Sequence, residues 1–100
     1  MHHSTAHSAT HSTDRTDRSG LEALLTPARA RLLAAVAVER SMADIAGLLH
    51  SVPAAATHQV NALESAGLVR RRRDGRRIWV QRTPRGNALL DLYGLQVPRA

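Results

Sequence analysis

The stretch Leu68-Val-Arg-Arg-Arg-Arg-Asp-Gly-Arg-Arg-Ile-Trp-Val80 decides the predicted fold, because it combines a turn signal with most of the chain's charge. Two extended runs flank Asp74-Gly75, and an Asp-Gly pair in that setting is typical of a β-hairpin with a type I′ turn. Eight of the 14 basic residues, all of them arginines, lie between Arg70 and Arg85. With Asp74 the segment carries +7, against +6 for the whole chain. Such a hairpin is expected to bind an anionic surface, most simply nucleic-acid phosphate.

A two-residue Asp-Gly loop also sets the predicted register of this hairpin. The expected pairs are Arg73 with Arg76, Arg71 with Ile78, Arg70 with Trp79, and Val69 with Val80. Because side chains alternate along a strand, Val69, Ile78 and Val80 would share the face directed at the core. Trp79 would lie on the other face beside Arg70, where a cation–π contact is expected.

Three helices are predicted upstream of residue 50. Leu21, Leu24 and Leu25 have helical spacing. Thr26-Pro27 looks like an N-cap followed by proline at the first helical position, and it begins an Ala-rich helix over residues 28–39 whose buried side would carry Leu32, Leu33 and Val36. Ser41-Met-Ala-Asp44 predicts a third helix, ending near His50, in which the Ser41 hydroxyl caps the Asp44 amide.

A fourth helix is predicted from Pro53, with one apolar stripe formed by Ala56, Val60 and Leu63. Its outer face is small, polar and nearly uncharged, and Gly67 suits the residue after a helix C-cap. Thr83-Pro84 repeats the cap-plus-proline pattern after the hairpin and predicts a final helix. The apolar side of that helix would carry Ala88, Leu89, Leu92 and Tyr93.

The predicted order is α-α-α-α-β-β-α, a mostly α fold with a β-hairpin wing. Two short helices across a tight break form a helix-turn-helix, and a basic hairpin directly after them makes a winged helix. We predict a winged helix-turn-helix domain over residues 21–95. A disordered His/Ser/Thr-rich arm would precede it over residues 1–20, and a short disordered tail would follow over residues 96–100.

The composition bounds the function classes. The apolar residues are almost all Leu, Ala and Val, with one Trp, one Tyr and no Phe, so dimerisation would help a thin core. The absence of cysteine excludes disulfides and thiolate metal sites. No run approaches the roughly 20 apolar residues of a membrane span, and the amino terminus lacks the apolar centre of a secretory signal. We expect a cytoplasmic protein without membrane contact. No catalytic constellation is present, so an enzyme is not expected.

Residues 25–93 resemble the bacterial winged-helix regulators of the ArsR/SmtB and MarR families. Leu25-Thr-Pro27 and Arg82-Thr-Pro-Arg-Gly86 lean toward MarR, whereas the compact hairpin and short chain lean toward ArsR. The segments that carry the resemblance are Met42-Ala-Asp-Ile-Ala-Gly-Leu-Leu-His50, Pro53-Ala-Ala-Ala-Thr-His-Gln-Val60 and Asn61-Ala-Leu-Glu-Ser-Ala-Gly-Leu-Val69, together with the wing. The resemblance implies a transcriptional regulator that binds double-stranded DNA. Its simplest form is a homodimeric repressor on a (pseudo)palindromic operator.

The resemblance also assigns the site residues. The fourth helix becomes the recognition helix, whose side chains would contact base edges in the major groove; these residues are Ala54, Ala55, Thr57, His58, Gln59 and Asn61. In the wing, Arg76 and either Arg73 or Arg77 would enter the minor groove, while Arg71, Arg72 and Arg85 would meet phosphates. The expected dimer interface consists of Leu21, Leu24, Leu25, Leu89, Leu92 and Tyr93.

The departures from these families bear on cofactors. The two cysteine positions of the ArsR metal site hold Ser41 and Ala43, and the last helix has Asp91 but no histidine. We therefore expect no cofactor, with nickel or zinc binding on the arm as the alternative, through His2, His3, His7 and His11. The regulatory signal would then come from a co-regulator protein.

Two other functions stay open. One is a non-specific nucleic-acid-binding protein whose arginines act without base contacts. The other is a protein-interaction module within a two-protein regulator.

Overall fold

The computed structural model describes residues 18–95. The elements are α1 (residues 18–25), α2 (Pro27–Ala35), β1 (Arg40–Ser41), α3 (Met42–Leu48), α4 (Pro53–Ser65), β2 (Val69–Asp74), β3 (Arg77–Arg82) and α5 (Pro84–Leu92). This is a mostly helical fold with a small antiparallel sheet, in which α3 and α4 form a helix-turn-helix and β2–β3 form the wing. The predicted fold class is confirmed, and the short strand β1 is an addition to it.

The predicted arm extends too far into the chain. Residues 18–20 already belong to α1, so the boundary placed at residue 20 is wrong. The rest of the arm, with its four predicted metal-binding histidines, lies outside the described residues, and so does the tail predicted over residues 96–100. Within residues 18–95, no helix is both long enough and apolar enough to cross a membrane.

Side-chain caps begin three helices where the sequence predicts them. The Thr26 hydroxyl accepts from the Arg29 amide at 3.3 Å, Ser41 from Asp44 at 3.1 Å, and Thr83 from Gly86 at 3.1 Å. The helix predicted over residues 28–39 ends instead at Ala35. It stops early because the next residues must turn so that Arg40 and Ser41 can pair with β3.

The end of α4 directs the chain into the wing. Gly67 has a φ of 78°, a left-handed conformation that favours glycine, and its amide donates to the Glu64 carbonyl at 2.9 Å. The Leu68 amide donates to the Leu63 carbonyl at 2.9 Å. Together these two bonds form a Schellman motif, which satisfies the last carbonyls of the helix and confirms the predicted role of Gly67.

The predicted register of the hairpin is wrong. Asp74 pairs with Arg77, Arg72 with Trp79, Arg71 with Val80, and Val69 with Arg82. The loop is therefore Gly75-Arg76, and of these two residues only Gly75 has a positive φ, 61°. That pattern belongs to a type II′ turn, which places the left-handed conformation on glycine alone. The predicted type I′ turn would require a positive φ at Asp74 as well as at Gly75.

The error leaves the faces of the hairpin unchanged, because the partner of each residue changes by two positions, from Val80 to Arg82 for Val69, and side chains alternate with a period of two. Val69, Ile78 and Val80 still share the face that packs on the core, and Trp79 still lies on the other. The strand order is β1-β3-β2, so β3 lies in the middle of the sheet.

An aliphatic core holds the elements together, and the stripes predicted for the second and fourth helices are confirmed, whereas the last helix buries Leu90 and leaves Leu92 of its predicted apolar side 80% exposed. Leu32, Leu33 and Val36 are fully buried, as are Ala56 and Val60, and Leu63 is 2% exposed. Leu21 is 1% exposed, so its side chain belongs to this core rather than to the surface predicted for the dimer.

Candidate nucleic-acid interface

The outer face of α4 is available for contact with a partner. Its opposite side is anchored by the buried Ala56, Val60 and Leu63. Among the residues predicted to contact bases, Thr57 is half-buried, and the exposed ones are Ala54, Ala55, His58 and Asn61. This face combines hydrogen-bonding groups with small methyl groups and carries no formal charge.

Gln59 differs from the other predicted recognition residues. Its side-chain oxygen accepts a hydrogen bond from Arg29 Nε at 2.7 Å, across the contact between α4 and α2. The residue is half-buried, so its amide is engaged within the domain. The Gln59 side chain thus joins α2 to α4. The sequence places this residue at the edge of the polar face of α4, and that position does not predict the contact with α2.

The turn between α3 and α4 depends on a left-handed histidine. His50 has a φ of 53°, and its amide donates to the Gly47 carbonyl at 3.1 Å. The Ser51 amide donates to the Ala46 carbonyl at 3.0 Å. These bonds close the last turn of α3 and set the start of α4, so His50 acts through its backbone in this turn.

The tip of the wing presents arginines without internal partners. Arg73, Arg76 and Arg77 are exposed, and none of their side chains has a hydrogen bond or ion pair with another residue in the range 18–95. A cleft of about 380 Å³ separates Arg76 and Arg77 from the start of α3 at Met42. These three guanidinium groups are cations at the tip that an external anion can reach without displacing a carboxylate; Arg70 of β2 is also exposed and without a side-chain partner among the described residues.

Away from the tip, at what we call the root of the wing, Arg71, Arg72 and Arg82 bond to acceptors of the domain. Arg72 donates from Nε and Nη2 to the two carboxylate oxygens of Glu39, both at 2.8 Å. The Arg72 Cζ atom lies 5.9 Å from the centre of the Trp79 ring. The predicted cation–π partner, Arg70, is therefore wrong, because the observed register places Arg72 opposite Trp79.

This pairing changes the acidity of both groups. The hydrogen bonds from Arg72, with its positive charge, hold the pKa of the Glu39 carboxyl below its ordinary value. The carboxylate in turn raises the pKa of the Arg72 guanidinium. Because each group stabilises the charged form of the other, the pair is ionised at neutral pH.

A second carboxylate joins the wing to the recognition helix. Arg71 Nη2 lies 2.8 Å from Glu64 Oε1, and each side chain is 36% exposed. Arg71 belongs to β2 and Glu64 to the last turn of α4. The contact ties the two elements predicted to meet DNA, and it occupies a guanidinium that the sequence assigned to phosphate.

Arg82 is the most deeply buried charged residue within positions 18–95, only 7% exposed. Its Nε donates to Asn87 Oδ1 at 2.6 Å, and its Nη1 donates to the carbonyls of Leu33 at 2.9 Å and Ala34 at 3.3 Å. Burial lowers the pKa of this guanidinium, and the Asp91 carboxylate acts in the opposite direction. Arg82 thus caps the end of α2 and links it to α5.

Sequence alternation contained a signal for this role, because Ile78, Val80 and Arg82 fall on one face of β3. Arg85, which was predicted to meet phosphate, is exposed and donates from Nη1 to the Ala66 carbonyl at 3.2 Å, at the end of α4. Arg71, Arg72, Arg82 and Arg85 are thus engaged within the domain, which is half of the arginines that carry the segment's charge.

No trio of His, Asp or Glu side chains in the described part of the chain is arranged to hold a metal ion. The histidines of the arm lie outside that part.

Solved structures establish what this arrangement resembles. No family model matches the chain, and no curated protein matches it. NadR in complex with 4-hydroxyphenylacetate superimposes with a TM-score of 0.69 at 22% identity, covering 90% of this chain and 69% of NadR. MepR, a transcription regulator of the Staphylococcus aureus multidrug efflux pump MepA, gives 0.62 at 20% identity, covering 94% and 75%.

A third similar structure is Bordetella bronchiseptica BpsR, whose DNA binding is regulated by 6-hydroxynicotinic acid. Its TM-score is 0.63 at 18% identity, covering 93% of this chain and 80% of BpsR. The three neighbours are winged-helix transcription regulators of the MarR type, and none represents the ArsR/SmtB type. The chain therefore has the winged-helix fold that these regulators share.

Proposed function

We propose that this chain is a sequence-specific regulator of transcription that binds double-stranded DNA. One observation carries the proposal: a single helix-turn-helix and wing unit presents two exposed surfaces of complementary character. The outer face of α4 is polar and uncharged, whereas the wing tip carries three arginines without internal partners. Base edges require hydrogen-bonding groups, and the phosphate backbone requires cations.

The outer face of α4 would enter the major groove. Asn61 can bond the N6 and N7 positions of adenine in a bidentate manner, and His58 and Thr57 can contact neighbouring base edges. Ala54 and Ala55 would let the start of the helix approach closely and would pack on thymine methyl groups. Discrimination between sequences is assigned to this face.

The wing tip would supply affinity that depends little on sequence. Arg76 and either Arg73 or Arg77 would enter the minor groove, where the negative potential is strongest over A·T-rich DNA. Each arginine that neutralises a phosphate releases counterions, which makes binding salt-dependent.

A homodimer would form through the helices at the two ends of the described chain. Leu24 in α1 is 61% exposed and Leu92 in α5 is 80% exposed, while Leu25, Leu89 and Tyr93 are half-buried beside the core. A two-fold dimer would place two recognition helices about one turn of DNA apart, on a (pseudo)palindromic operator. Leu92→Glu should shift the sedimentation coefficient toward that of a monomer and weaken operator binding, whereas an unchanged dimer would exclude this interface.

The simplest action is repression by occlusion of a promoter. The signal would reach the chain through a partner protein, since Ser41 and Ala43 replace the cysteines of the ArsR metal site. Operator affinity that changes only when a co-purified partner is present would support this arrangement.

Fluorescence anisotropy on two labelled duplexes tests the proposal. One duplex carries the chain's own promoter, mapped by footprinting, and the other is a scrambled version of the same length. A regulator should prefer its own site by about a thousandfold or more. Asn61→Ala should alter base preference, whereas Arg76→Ala should weaken binding to both duplexes. Equal affinity for the two duplexes would leave the non-specific nucleic-acid-binding function instead.

A further inference from the structure

The position of Glu39 is unusual for a surface carboxylate. It directly precedes β1 at one edge of the sheet, yet its partner Arg72 belongs to β2 at the opposite edge. Trp79 of the central strand β3 lies between them, paired with Ser41 on one side and Arg72 on the other. The paired side chains of Arg72 and Glu39 together therefore span the sheet above the indole ring.

Three contacts fix the Arg72 guanidinium in this position. Two parallel hydrogen bonds of 2.8 Å to Glu39 set its plane, because a bidentate pair allows one relative orientation. The indole ring supports it at 5.9 Å. A third contact, 3.9 Å to Asp74, continues toward the turn of the wing. A DNA phosphate could engage the Nε–Nη2 edge of Arg72 only by displacing both oxygens of Glu39.

We propose that Glu39 is a positioning residue: it holds Arg72 over Trp79 and thereby fixes the wing relative to the body of the domain. Its value for DNA binding rests on the function proposed above. In this arrangement Arg72 stabilises the position of the wing. Phosphate binding, which the sequence assigned to Arg72, is assigned to the arginines of the tip.

A second arrangement uses the same contacts with opposite consequences. In it, Glu39 masks an arginine that binds phosphate, and DNA releases the pair. Removing the carboxylate would then expose a cation and strengthen binding. Under the positioning role, removing it loosens the wing and weakens binding. The two arrangements differ in the sign of one measurement.

The decisive variant is Glu39→Gln in the full chain, with Glu22→Gln as the matched control. Both remove one negative charge, but Glu22 lies in α1, away from the wing. Affinity for the promoter duplex is measured between 50 and 200 mM salt. We expect Glu39→Gln to lower affinity about three- to tenfold with an unchanged salt slope, and Glu22→Gln to change neither. The exchange Glu39→Arg with Arg72→Glu, which preserves the pair, should recover most of the affinity.

Trp79, the single tryptophan of the chain, gives a readout without DNA. Loss of the guanidinium above the indole should move its emission to longer wavelength in Glu39→Gln, as in Arg72→Ala, and leave Glu22→Gln unchanged. Tighter binding by Glu39→Gln with a salt slope steeper by about 0.9 would overturn the proposal in favour of masking. Unchanged Trp79 emission would also overturn it. If the wild-type chain binds neither duplex, the proposed function fails, and the emission still decides whether Glu39 positions the wing.

Discussion

At the root of the wing, the Arg82 guanidinium is buried and donates to three oxygen atoms, whereas at the tip the Arg76 side chain is exposed and has no partner within residues 18–95. Both residues belong to one hairpin and carry the same charge. The difference comes from what lies beside them: the carbonyl end of α2 at the root, and solvent at the tip. The net charge of the segment therefore combines two kinds of arginine: some stabilise the fold, and others can bind an external anion.

The largest effect that separates root from tip is on stability. Arg82→Met should lower the free energy of unfolding by about 2–4 kcal/mol, because the buried carbonyl of Leu33 and the part-buried carbonyl of Ala34 lose a charged donor. The same substitution at Arg76 should change it by less than about 0.5 kcal/mol. Urea denaturation followed by circular dichroism measures both. An equal loss of unfolding free energy for Arg82→Met and Arg76→Met would contradict the difference between root and tip.

The next effect concerns the turn that presents the tip. Gly75→Ala forces a Cβ into a φ of 61° and should cost about 1 kcal/mol. Gly47→Ala is the matched control, because it lies inside α3 with no atom within 4 Å of the added methyl group, and it should stabilise by about 0.5–1 kcal/mol. The same urea titration distinguishes them. A stabilising Gly75→Ala would contradict the type II′ turn.

The smallest effect is a pH dependence at the root. The lowered pKa of Glu39 means that its pairing with Arg72 stabilises the wing above the ordinary glutamate range and is lost as pH falls through the lowered value. Trp79 emission should therefore show a transition below that range in the wild type, and the transition should be absent in Glu39→Gln. A transition that persists in the variant would assign it to another carboxyl group.

The helices and the core could be predicted from the sequence because their signals are local. Caps at Thr26, Ser41 and Thr83 mark helix starts, and the stripe of Ala56, Val60 and Leu63 marks a buried face. These features lie within one or two turns of helix, where residue types determine the backbone directly.

The register and the fate of the arginines could not be predicted in the same way. Two adjacent loop positions satisfy the turn chemistry, and the choice between them depends on contacts at the root, such as the Arg82 amide with the Val36 carbonyl at 2.9 Å. The pairing of Arg72 with Glu39 joins residues 33 positions apart. Both depend on how β1 pairs with β3. Because β1 has only two residues, it shows no sequence pattern from which the pairing could be predicted.

The most direct test of the account is the salt dependence of binding to the promoter duplex when the tip alone loses its charge. The triple variant Arg73→Gln, Arg76→Gln, Arg77→Gln should reduce the slope of log affinity against log salt by about 0.9 for each arginine that neutralises a phosphate, and should unfold at the wild-type urea concentration. Arg85→Gln, in α5, should leave the slope unchanged. A triple variant that retained the wild-type slope would contradict the assignment of DNA binding to the wing tip.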